Sequence, residues 1–149
     1  MEKIVRLKKY IEENLHDMNG GNGEYLHSPY IKRVINDLNE SESLDFTAVI
    51  ENWNEKLLFE LADPILFGEN KYLDRDYLYC LIYLQVTEKN NCEYLLDNLV
   101  ATILDLKTEN CSFEFLNRLK EKLIIDTELP FRNNNIAIKV IEDKIASKI

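Results

Sequence analysis

Hydrophobic residues recur along the chain at spacings of three and four, the pattern of helices that each bury one face. Ile4, Leu7, Ile11 and Leu15 fall on one side of a predicted helix over 2–17, with Lys8, Lys9, Glu12 and Glu13 opposite. A second helix over 27–38 buries Ile31, Val34, Ile35 and Leu38, with Ser28 as its N-cap and Pro29 at its first helical position. A third, over about 45–62, is capped by Asp45 and aligns Phe46, Val49, Ile50, Trp53, Leu57, Leu58 and Leu61. Pro64 ends it by disfavouring helical backbone at Asp63. Further helices are predicted over about 74–86, 92–106 and 113–125, and a last one begins at Asn134 or Asn135. Phe113, Phe115, Leu116, Leu119, Leu123 and Ile124 read as core in the helix capped by Ser112, and Ile136, Ile138, Val140, Ile141 and Ile145 in the last. The β-branched residues of 136–141 are also compatible with a short strand.

Between these segments lie polar or glycine-bearing stretches. NGGNGE (19–24) reads as a flexible turn, NESES (39–43) as a polar connector, ILFGENKY (65–72) as a linker with an apolar lead, and DTELPFRN (126–133) as a turn.

One segment departs from the single-face pattern. Residues 77–84, YLYCLIYL, are apolar or tyrosine without interruption. A helix apolar on nearly every side is surrounded by neighbours, so this is the expected central helix. Tyr79 and Tyr83 are four apart and share a face. Their rings suit the core, provided that each hydroxyl finds a partner.

Composition agrees with an all-α chain. The sequence has 149 residues, 46% of them hydrophobic and 30% charged, with only 4 glycines and 3 prolines. So few turn formers argue against an all-β fold, and the length suits a single helical domain over 1–149. About seven helices are expected, paired in antiparallel hairpins. The last three begin near 92, 113 and 134, so two together make a unit of about 42 residues, the size of a HEAT hairpin.

Charge narrows the partners. Residues 51–111 hold 5 basic and 12 acidic residues, and so carry −7 of the net −9. Such a surface repels phosphate backbones, so nucleic acid is not an expected partner, whereas a basic protein is. The longest apolar run, 77–84, is too short to cross a bilayer, and MEKIVRLKKYIEENL lacks a signal-peptide core. The expected location is the cytoplasm.

Catalytic chemistry is sparse. His16 and His27 are the only histidines and read as surface residues. Cys80, Cys92 and Cys111 are spaced for neither a metal site nor a disulfide framework, and no metal or cofactor is expected. Cys80 reads as buried and inert; Cys111, just ahead of a capping serine, is the more reactive candidate. There is no nucleophile elbow or phosphate loop, and the chain is not expected to be an enzyme. Carboxylates are the one dense feature. Glu60, Asp63, Glu69, Asp74 and Asp76 surround the turn between the third and fourth predicted helices, beside Trp53, Tyr72 and Tyr79. Acids that steer a basic partner, next to rigid aromatic anchors, make these eight residues the candidate docking surface.

The segment WNEKLLFELADPILFGENKYLDRDYLYCLIYLQ resembles an irregular HEAT-type hairpin, which implies a right-handed helical stack. In size, acidity and helical pattern the whole chain is similar to the small immunity proteins of bacterial toxin systems. That resemblance implies a protein that binds and neutralises a cognate toxin. The alternatives are a carboxylate-based enzyme, with or without a metal, in the same acidic cluster, and a scaffold or adaptor.

Overall fold

The computed structural model describes residues 1–127 and 134–149, so the predicted turn over 126–133 lies largely outside the described residues. Among those residues the chain forms eight α-helices and no strand. They are α1 (Glu2–Asn14), α2 (Ser28–Asn36), α3 (Glu40–Ile50), α4 (Glu55–Leu66), α5 (Arg75–Gln85), α6 (Lys89–Asp105), α7 (Phe113–Asp126) and α8 (Asn135–Ser147). The β-branched residues of 136–141 are helical throughout.

NGGNGE turns the chain only at Asn19 and Gly20. Gly20 alone has left-handed backbone, at φ 85°. The chain is helical again from Gly21, and Gly23–His27 form a π turn that leads directly into α2. Ser28 therefore continues a helix rather than capping one. Gly23 serves close packing: a Cβ there would stand 1.6 Å from the Met18 carbonyl oxygen.

The predicted third helix is two helices, α3 and α4, broken at Glu51–Asn54. The cap of α3 is Asn39, not Asp45. Its side chain accepts from the Glu42 amide at 2.8 Å, and the Glu42 carboxylate accepts from the Asn39 amide at 2.9 Å. This reciprocal box starts a helix inside the expected connector. Asn54 caps α4 by accepting from the Lys56 amide at 2.8 Å. The apolar stripe runs on across the break because both helices face one core, where Phe46, Ile50, Trp53, Leu57, Leu58 and Leu61 are buried. Pro64 lies within α4 rather than beyond its end. It cannot donate to the Glu60 carbonyl, yet the helix continues and closes with the Phe67 amide on the Asp63 carbonyl at 2.9 Å.

The greasy segment is α5, capped by Asp74, which accepts from the Tyr77 amide at 3.2 Å. Leu78 to Tyr83 are six consecutive buried residues. The cause is position: α5 packs on α4, α6 and α7. The Tyr79 hydroxyl donates to the Leu95 carbonyl at 2.8 Å, and the Tyr83 hydroxyl to Asp126 at 2.5 Å. Around this centre α2 and α1 pack on α4, while α8 packs on α6 and α7. Buried residues from Ile4 to Ile141 form one continuous cluster. Phe113, Ile124 and Ile136, expected in the core, are exposed. The buried stripes of α7 and α8 do run through the expected Phe115, Leu116, Leu119 and Leu123 and through Ile141, joined by Ala137. No helix among the described residues is long and apolar enough to cross a membrane.

Candidate functional site

The acids that crowd residues 60–76 in sequence separate in space. Asp74 is occupied as the α5 cap, and its second oxygen accepts from the Asn110 side chain at 2.9 Å. Asp76 lies in the first turn of α5, and burial raises its carboxyl above the usual range. Glu69 and Tyr72 are exposed on the segment between α4 and α5. That segment is pinned to α2: the Glu69 amide donates to the Asn36 side chain at 2.8 Å, and the Asn70 side chain donates to the Ile35 and Leu38 carbonyls at 2.8 and 3.0 Å. Trp53 and Tyr79 are not surface anchors. Trp53 is buried edge-on against Phe46, with ring centroids 6.2 Å apart, and Tyr79 is wholly enclosed. Aromatic character near acids marks both for the docking surface, yet both serve the core.

Glu60 and Asp63 remain together. They are three apart on α4, on one face with Phe59, and they open on a cavity of about 630 Å³. The other walls come from Met18 to Ser28 and from the start of α6, with Glu24, Asn90, Asn91 and Tyr94 among the lining residues. Among the described residues three carboxylates and no Lys, Arg or His line it. The Tyr94 hydroxyl donates to Asp63 Oδ2. Among the described residues Asp63 Oδ1 is buried without a hydrogen-bond partner. That hydrogen bond, reinforced by burial, pushes the Tyr94 hydroxyl up to about 12. Burial, followed by the neighbouring Asp63 charge, raises Glu60 to about 6, against a smaller opposing effect of His27. The rings of Phe59 and Tyr94 meet edge to face with centroids 5.7 Å apart.

Behind this wall lies His27, which is buried rather than on the surface. Its Nδ1 stands 2.6 Å from the Tyr10 hydroxyl and its Nε2 stands 2.8 Å from Asp17 Oδ2. An Nε2–H that donates to Asp17 leaves Nδ1 to accept from Tyr10. The bond to His27, and then that from Asn22, holds the Asp17 carboxyl below its usual value. The chain Tyr10–His27–Asp17 ties α1 and the 3-10 turn after it to the π turn, and so fixes one wall of the cavity.

The other reactive groups are enclosed. Cys80, Cys92 and Cys111 are all buried thiols. Cys111, the predicted reactive one, is pushed by burial up to about 11 and donates to the Lys107 carbonyl. Lys122 stands 3.2 Å from Asp126, 3.2 Å from the Cys92 sulfur and 4.6 Å above the Tyr83 ring, a closed polar cluster beside the core. Among the described residues no three His, Cys, Asp or Glu side chains group as metal ligands.

Sequence reasoning found Glu60 and Asp63 but missed Glu24, Phe59, Asn90, Asn91 and Tyr94. Phe59 was findable, since it shares the α4 face with Asp63 at i, i+4. The rest lie more than twenty residues away in sequence on either side, with no local signal to connect them. No protein family matches the chain, and neither the curated proteins nor the solved structures yield a match.

Proposed function

We propose that the chain is a helical protein-binding module for a basic partner, most concretely an immunity protein that binds and neutralises a cognate toxin. The observation that carries this is the cavity of α4: three carboxylates, no lining cation, and a carboxylate oxygen with no hydrogen-bond partner among the described residues. Unmatched charge of one sign in a concave site favours an oppositely charged occupant and speeds its arrival. Glu69 and Tyr72, exposed beyond the end of α4, extend the contact. The successive packing of α4 on α5, α5 on α6 and α7 on α8 supports a right-handed HEAT-like stack as the frame that presents it. The test is to co-express the chain with the product of the adjacent gene. Toxicity of that product alone, relieved by the chain through a stable complex, supports the proposal. A non-toxic neighbour that does not bind counts against it.

A carboxylate-based enzyme is the alternative, favoured by one observation: Glu60 is raised to about 6 beside a second carboxylate in a cavity. Perturbed carboxyls of this kind suit proton transfer near neutral pH. A saturable thermal shift with Mg²⁺, Mn²⁺ or Ca²⁺ supports a metal-assisted version, and no response counts against it.

A further inference from the structure

The cavity narrows the chemistry of its occupant. Its carboxylates demand a cation, but the absence of a three-ligand group among the described residues disfavours a bare metal ion. Its polar acceptors point from different elements, Glu60 and Asp63 from α4 and Asn90 and Asn91 from α6. Asp63 spends Oδ2 on the Tyr94 hydroxyl and leaves Oδ1 buried with no partner among the described residues. Two aromatic rings, Phe59 and Tyr94, stand beside these acids. A guanidinium answers each feature. It is planar and always charged, and it presents five donors in a fixed fork. Its faces stack on aromatic rings, and it sheds water more easily than an ammonium does. A volume of about 630 Å³ accommodates such a side chain together with the backbone that carries it.

We infer that this cavity receives an arginine side chain of the partner protein, with its guanidinium between Asp63 and Glu60 and against Tyr94. The inference rests on the docking function proposed above and specifies its central contact. Burial of Glu60 beside Asp63, which raises its carboxyl to about 6, is the cost that an arriving cation relieves.

The test is an NMR titration of the whole chain with acetyl-Gly-Arg-Gly-amide, with the lysine analogue and MgCl₂ as competitors. The arginine peptide should give saturable shifts centred on Phe59–Asp63 and Asn90–Tyr94, and the lysine peptide should bind more weakly. Asp63→Asn and Glu60→Gln should each weaken the arginine peptide by about tenfold or more, the loss expected for a hydrogen bond to a charged group. Thermal unfolding of both variants establishes that they fold, and Glu60→Gln removes a charge that burial disfavours. Equal binding of lysine, displacement of the peptide by Mg²⁺, or no saturable shift overturns the inference. Failure of the docking proposal itself looks different. A toxin complex that forms undiminished by Asp63→Asn overturns the arginine contact and leaves docking intact. Lack of any complex overturns docking even where the peptide binds.

Discussion

Replacement of Glu60 by glutamine should stabilise the protein, and only above mildly acidic pH. The folded chain holds the Glu60 proton more tightly than the unfolded chain, because its carboxyl is raised from 4.5 to about 6 by burial and then by Asp63. The contribution of Glu60 to stability is therefore greatest below 4.5, falls as pH rises through about 6, and levels off above. Moving a carboxyl from 4.5 to about 6 is worth about 2 kcal/mol by linkage. Glu60 is only half-buried, so solvent screening reduces this to about 1 kcal/mol. Glutamine keeps the shape and never ionises. Glu60→Gln should thus gain about 1 kcal/mol at pH 7.5, a rise of about 3 °C in Tm for a chain of this size, and almost nothing at pH 4.5. Urea unfolding of both proteins at pH 4.5, 6 and 7.5 reads this directly, since titrations common to both cancel in the difference. A variant no more stable than the parent at pH 7.5, or equally stabilised at both extremes, would refute the electrostatic reasoning. The gain in stability with loss of arginine binding is the trade expected where a site stores unfavourable charge.

Other predictions follow from single contacts. Gly23→Ala should destabilise by about 2 kcal/mol or more, because its Cβ would stand 1.6 Å from a backbone oxygen, whereas Gly21→Ala, whose nearest neighbour is 4.0 Å away, should be near neutral in urea unfolding. Tyr83→Phe should cost about 2 kcal/mol by removing a hydrogen bond to the Asp126 carboxylate, more than the roughly 1 kcal/mol for Tyr79→Phe, whose hydroxyl meets a neutral carbonyl; the reverse order would contradict the assignment. The three thiols should react with a thiol-specific reagent only as fast as the chain unfolds, and rapid labelling of Cys111 in native buffer would contradict its burial.

The central helix was legible because its signal is local: eight apolar or tyrosine residues behind an aspartate cap. The break between α3 and α4 was not, because Ile50, Trp53 and Leu57 keep helical spacing across it while both helices face one core. Asn39 and Glu42 did carry the start of α3 in a capping spacing that a polar connector disguised. Pro64 reads as a terminator in sequence, yet near a helix end it forfeits one hydrogen bond rather than the helix. His27 and Gly23 owe their roles to partners outside their own helix, Tyr10 and Asp17 in one case and the Met18 carbonyl in the other. The cavity was half visible, since charge marks Glu60 and Asp63, but its remaining walls meet only after folding.

Hydrogen–deuterium exchange on the chain with and without the adjacent gene product tests the docking site most directly. Binding at the α4 cavity predicts protection of residues 18–28, 59–64 and 90–94, lost in Asp63→Asn. Protection confined to α7 and α8, with the cavity segments exchanging as in the free protein, would contradict it.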